Sequence, residues 1–175
     1  MALDATVSGL SSNTYLLDAE FTAYAAGSLA AARVTASIAD TRERALRTAT
    51  RMLDRLEFHG LATVPAQALQ WPRYIVQNPD RWGYYFDQNE IPRRLKEATA
   101  ELALALLGEG QSSPDGTLSD AAKYTKARVD VLEVEFREGI AAATTATGIL
   151  KRYPAVWSLI EPLLDSTGQP SVVRA

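Results

Sequence analysis

The chain has 175 residues, 47% of them hydrophobic, with 18 Lys and Arg against 21 Asp and Glu for a net charge of -3 and a pI near 5.2. That length suits one domain that buries roughly 70% of its unfolded surface. The absence of Cys excludes a disulfide scaffold, thiol catalysis and a Cys-ligated zinc site, and fits a reducing compartment such as the cytoplasm.

Acidic and basic residues are interleaved throughout, so no segment forms the basic domain typical of a dedicated nucleic-acid binder, and any contact with DNA must be local. The opening residues carry no apolar signal region, and the longest uncharged apolar stretches, Phe21 to Ala32 and Ile140 to Leu150, are too short for a membrane span. The expectation is a protein neither exported nor inserted.

Residues 1–14 are small and polar and read as an arm that is ordered only where it docks. Asp18 is a plausible N-cap for a first helix carrying Phe21, Tyr24, Ala25, Leu29 and Ala32; Gly27, costing about 1 kcal/mol relative to Ala, predicts a kink or an early end. A second helix runs from Asp40 or Thr41 to about Glu57, with Leu46, Ala49, Leu53 and Leu56 on its apolar face. Arg44, Arg47, Arg51 and Arg55 form a stripe along another side, broken by Glu43 and Asp54. Two readings of the stripe stay open: a solvated face paired with those acids, or a surface facing phosphates or an acidic subunit.

Between Phe58 and Glu90 lies a long connection with Pro65, Pro72, Pro79, Gly60 and Gly83 and six aromatics: Trp71, Tyr74, Trp82, Tyr84, Tyr85 and Phe86. A loop of this length is usually functional or ordered by its own packing. The aromatics favour packing, while the mixture of Trp71, Arg73, Tyr74, Arg81 and Trp82 also suits base stacking.

Ile91 to Leu107 is the clearest helix, with Pro92 at its start, Leu95, Ala98, Leu102, Ala105 and Leu106 on one face, and Gly108 after it. Leu104 and Leu107 make its last turns apolar nearly all round, so other elements or a second subunit should enclose them. Arg93, Arg94 and Lys96 crowd the first turns, where the helix dipole disfavours cations by roughly 0.3–1 kcal/mol each. Either Asp87, Glu90 and Glu97 neutralise them, or an acidic partner or phosphate backbone does.

Gly108 to Gly116 reads as a joint. Lys123 to Val129 and Leu132 to Phe136 then read as a hairpin turning near Asp130, with Lys126 and Arg128 facing Glu133 and Glu135. Residues 140–148 read as a linker or weak helix, Tyr153-Pro154 opens a short helix to Leu164 interrupted by Pro162, and residues 165–175 look disordered when alone. The predicted class is mainly α (α+β): a bundle of about three principal helices with a β-hairpin and a short C-terminal helix. Residues 1–14 form the arm, 15–138 the core domain, and 139–175 the linker, short helix and tail. Tyr153, Pro154, Trp157 and Ile160 are candidates for a partner interface, the alternative being that this helix caps the domain's own core.

The single histidine, His59, sits among Phe58, Gly60 and Leu61, a turn or packing setting, and neither a Ser/His/Asp triad nor a histidine zinc site follows from it. Phosphate-binding glycine motifs, a nucleophile elbow and a calcium loop are all absent. The expectation is no enzyme, with no cofactor and no metal.

Several segments together carry a family resemblance: Tyr15-Leu16 with Ala19-Glu20 and Tyr24, Ala49 to Asp54, Gln67-Ala68-Leu69-Gln70-Trp71-Pro72-Arg73, Ile91-Pro92 with Lys96 and Ala100 to Ala103, Tyr153 to Val156, and Pro162 to Leu164. Their order resembles the head-to-tail connector (adaptor, or head completion) proteins of tailed bacteriophages, whose relatives are often labelled DnaT-like single-stranded-DNA-binding proteins. Trp71, Pro72, Arg73, Ile91 and Pro92 are the family-motif positions. The resemblance implies a dodecameric ring under the portal protein, surrounding the DNA exit channel at the neck of the virion. The ring would be assembled in the host cytoplasm, touch tail or nozzle proteins on its far side, contact packaged DNA without reading sequence, and catalyse nothing. Another reading of the same resemblance is a single-stranded-DNA-binding replication protein of DnaT type. The aromatic stretch Tyr74 to Phe86 departs from the family pattern.

Overall fold

The computed structural model describes residues 2–108, 126–129, 132–135, 148 and 150–165. Within them lie α1 (Asp18–Ala26), α2 (Ala31–Ala36), α3 (Ala39–Leu53), β1 (Leu61–Ala62), β2 (Arg73–Tyr74), α4 (Arg93–Gly108), β3 (Lys126–Val129), β4 (Leu132–Glu135) and α5 (Pro154–Ile160), the last followed by a 3-10 turn over Glu161–Leu163. The architecture is mainly helical with small antiparallel pairs, the α+β class that the periodicities predict.

The other helices pack around α4, which contacts α1, α2, α3 and α5. Its composition explains this: Leu95, Leu102, Leu104 and Leu106 are buried, and so are Ala98, Ala100 and Ala103, whose small side chains admit neighbouring helices on more than one side. Thr99, fully buried, donates its hydroxyl to the Leu95 carbonyl and leaves no orphan donor. The Pro92 carbonyl accepts from the amides of Leu95 and Lys96, so proline sits just outside the first helical residue and the helix begins at Arg93.

The three cations of the first turns find acids, mostly not the ones nearest in sequence. Arg93 pairs with Glu97 at 2.7 Å, Arg94 with Asp80 from the preceding connection, and Lys96 with Glu20 of α1 at 2.7 Å. The unfavourable dipole contacts are thus offset by pairs that also fasten α1 and the 75–86 segment to α4.

Helix α1 starts at Asp18. Glu20 accepts from the Leu17 amide, which is half of a capping box, because leucine has no side-chain acceptor for the reciprocal bond. It ends at Ala26, and Gly27 serves as its C-cap, so the glycine separates two helices as its propensity suggests. Arg42 of α3 then makes a bidentate pair with Asp18, both contacts at 2.8 Å, which fixes the crossing of α1 and α3. The N-terminal arm is docked: Asp4 accepts from Thr6 and Ser11, Asn13 binds back to Asp4 and Ala2, and Ser12 and Thr14 are buried.

The β3–β4 pair has the register Lys126↔Glu135 and Arg128↔Glu133, the cross-strand pairing that charge alternation predicts. The joint at 109–116, residues 123–125, the turn near Asp130, the linker at 140–147 and the tail at 166–175 lie outside the described residues.

The C-terminal helix folds back onto the domain. Val156, Ile160 and Leu163 are buried at 1%, 0% and 0% exposure, and Tyr153 and Trp157 pack half-buried against the core. Beyond the helix the chain runs beside residues 57–59: Phe58 bridges Leu164, the His59 amide donates to Leu163, and the Asp165 amide donates to Glu57. Ile160 is therefore a core residue and not a surface anchor, because its turn of α5 faces α4. Pro154 is exposed at the first helical position, and Trp157 carries Lys151 over its ring at 5.2 Å.

Candidate functional site

The Gln70-Trp71-Pro72-Arg73 segment is the base on which the site is built, and its polar atoms point inward. Asp54, just past α3, accepts from the Tyr15 hydroxyl and from the Gln70 amide at 2.7 Å. The Gln70 carboxamide donates to the carbonyls of Asp54 and Leu56. Arg73 spreads its guanidinium over the carbonyls of His59 at 2.7 Å, Phe58 at 3.2 Å and Gly60, with Gln70 Oε1 at 2.8 Å. Burial pulls the Arg73 pKa down, countered in part by the nearby Tyr15 and Asp54, yet it stays far into the charged range. Trp71 is 1% exposed and meets Phe58 and Phe86 edge-on, each with ring centroids 5.8 Å away, across a cis bond to Pro72. Trp71 and Arg73 are thus occupied internally and cannot stack bases as the composition of the loop allows.

The Tyr15–Asp54 bond sets a pH dependence. Burial, and then the Asp54 carboxylate, raise the Tyr15 pKa well above 10.0, so the folded chain holds this proton more tightly than the unfolded one. The stability it contributes is whole below pH 10 and is lost as pH climbs through the raised value. Urea midpoints are expected to fall as pH rises above 10. Tyr15→Phe should remove part of the fall, with Tyr24, likewise raised by burial and by Glu101, contributing another part.

Two backbone positions then aim the chain outward. Gly60 has φ +74°, and a Cβ there would collide with the Tyr74 carbonyl and the Val76 side chain, so only glycine lets 58–60 pass beneath 74–76. Ile75 has φ +63°, a left-handed conformation that costs a β-branched residue of order 1–3 kcal/mol. Its effect is to bury Val76 while leaving Ile75 65% exposed.

From there residues 76–86 form a small ribbon. The Phe86 amide donates to Val76, Gln77 bridges Tyr85, and the Asn78 amide donates to Tyr84 at 2.8 Å. Asn78 Oδ1 accepts from the Asp80 amide, Gly83 supplies a positive φ at the tip, and the Arg94–Asp80 pair ties the tip to α4. Three aromatics of this ribbon face solvent: Trp82 at 99%, Tyr84 at 66% and Tyr85 at 60% exposure. Two of them, Trp82 and Tyr85, border with Ile75, His59 and Pro162 a groove of about 510 Å³ whose lining includes no Asp or Glu. The exposed Asp165 carboxylate sits 3.4 Å from Nδ1 of His59, one of the lining residues.

The arginine stripe is divided. Arg44 pairs with Asp40 at 2.6 Å, and Arg47, only 15% exposed, lies beside Glu43 at 3.9 Å. Arg51 and Arg55 are exposed. Asp54, which the spacing suggests would break the stripe, is turned inward by Tyr15 and Gln70. Ile91 is half-buried against the core and Pro92 is buried, which gives both motif positions a place at the entry to α4. Among the described residues no group of three His, Asp or Glu is placed to hold a metal ion.

The family model described as "Putative DnaT-like ssDNA binding protein" matches residues 1–175, the full length of the chain. The chain belongs to that family. No curated protein and no solved structure matches it. The 75–86 ribbon, with its solvent-facing rings, stands apart from the packed aromatics of the same connection. The sequence signal for it was available: Asn78-Pro79 and Gly83 punctuate a turn between Val76 and Phe86, and such a ribbon places alternate aromatics on opposite faces.

Proposed function

We propose that this DnaT-like family member binds single-stranded DNA without catalysis, through the groove on the 75–86 ribbon. The observation that carries the reading is a groove bordered by Trp82 and Tyr85 whose lining residues include no Asp or Glu, on a chain whose net charge is -3. Exposed rings are costly to keep in water, and a stacking platform for bases accounts for them. The test is fluorescence anisotropy of a labelled single strand. Trp82→Ala with Tyr85→Ala should remove about 1–3 kcal/mol of binding per base lost, while stability stays within about 0.5 kcal/mol because both side chains are exposed. Undiminished binding by that variant sinks the reading.

A second reading keeps the connector ring: a homo-oligomer, dodecameric in form, between portal protein and tail or nozzle proteins at the virion neck. It is supported by the resemblance of the motif segments and by the outward placement of Arg51 and Arg55, which repeated around a ring would line a positive channel for packaged DNA. Native mass spectrometry separates the two, since closed rings favour the connector and monomers that bind oligonucleotides favour the replication-type binder.

A further inference from the structure

We propose that the groove takes single-stranded DNA by an unpaired base, stacked against Tyr85 and Trp82 with the Gln77 carboxamide at the base edge, and that phosphate contributes little to the affinity. This rests on the single-stranded-DNA reading and narrows it to the part of the nucleotide that is held.

The groove lining carries no permanently charged side chain. It contains neither Lys nor Arg, and neither Asp nor Glu; His59 is its only titratable side chain apart from Tyr85. Arg81 is the one cation in the sequence between Arg73 and Arg93, and it sits exposed at the tip beside Trp82. The cations closest in sequence are committed elsewhere: Arg73 to the carbonyls of 58–60, Arg93 to Glu97, and Arg94 to Asp80. With no Lys or Arg in its lining and Arg81 the uncommitted cation among the ribbon's sequence neighbours, the groove neutralises about one phosphate, so its affinity does not come mainly from released counterions.

What the groove offers is surface and edge. Gln77 and Tyr85 are directly opposite across the ribbon, so their side chains share a face with Cβ atoms about 4.5–5.5 Å apart. A ring stacked on Tyr85 therefore has a donor and an acceptor within reach at its edge, a combination that every base can match along one of its edges. Ile75, held out by its left-handed backbone, adds an apolar wall on the same groove. A volume of about 510 Å³ gives this pocket the scale of a small-ligand site, not of a long backbone-tracking channel.

The experiment compares the full chain on two labelled oligomers of equal charge. One is an oligothymidylate of about ten nucleotides, within the usual site sizes of single-strand binders, and the other an abasic strand of the same length. The abasic strand should bind at least about ten-fold more weakly, and log affinity for the thymidylate should fall with log salt at a slope of roughly -0.7, the value for one phosphate contact. Y85A, and independently W82A, should weaken the thymidylate about five-fold or more and leave the abasic strand unchanged. Equal affinity for the two strands, or a slope steeper than about -3, overturns base capture while leaving single-stranded-DNA binding intact. If neither strand binds, the parent reading falls and this inference falls with it.

Discussion

Replacing Arg73 with Ala is expected to lower the stability of the domain by about 2–4 kcal/mol. The mechanism is the loss of one donor fork serving three backbone acceptors, those of Phe58, His59 and Gly60, together with Gln70 Oε1. Each carbonyl left without a partner costs part of a charge-assisted hydrogen bond, and solvent can compensate only partly because the side chain is half-buried. Arg73→Lys should recover less than half of the loss, since an ammonium cannot reproduce the planar fork. Urea unfolding monitored by the near-ultraviolet signal of Trp71 is the measurement. A loss below about 0.5 kcal/mol for Arg73→Ala would show that the clamp is ornamental.

Truncation after Arg152 is expected to abolish the cooperative fold. The segment removed contains Val156, Ile160 and Leu163, each almost fully buried, and at about 1.5–3 kcal/mol per side chain their removal costs roughly 5–9 kcal/mol. A domain of this size has only about 5–15 kcal/mol in total, and the truncation also strips one side of α4 and the strand-like partner of residues 57–59. Circular dichroism melting should lose its sigmoidal transition. A truncated chain that melts cooperatively would return this segment to the role of a detachable partner-binding arm.

These two residues sets mark where sequence reasoning reaches and where it stops. Helix α4 was legible because Leu95, Ala98, Leu102 and Leu106 repeat at helical spacing, and the break in the first helix because Gly27 opposes it. The cross-strand charges of β3 and β4 were legible because register follows alternation. The role of Arg73 was not, since its acceptors are backbone carbonyls that carry no side-chain signature. Nor were the partners of Lys96 and Arg94, because Glu20 and Asp80 reach them only through the tertiary packing of α1 and the ribbon. Ile160 reads equally well as a partner anchor or as core until α5 is placed against α4. The six aromatics of the long connection are the same kind of case: Trp71 and Phe86 turn in, Trp82, Tyr84 and Tyr85 turn out, and the decision rests on the left-handed turn at Ile75 and the space beneath it at Gly60.

The groove on the 75–86 ribbon, as the place where the chain meets single-stranded DNA, is tested most directly by photocrosslinking. A single strand substituted with bromodeoxyuridine is irradiated with the full chain, and the adducts are mapped by mass spectrometry. Adducts are expected on Trp82, Tyr84 or Tyr85, suppressed by unlabelled single strand and not by duplex. Adducts confined to the α3 surface around Arg51 and Arg55 would contradict this expectation and place DNA on the arginine face instead.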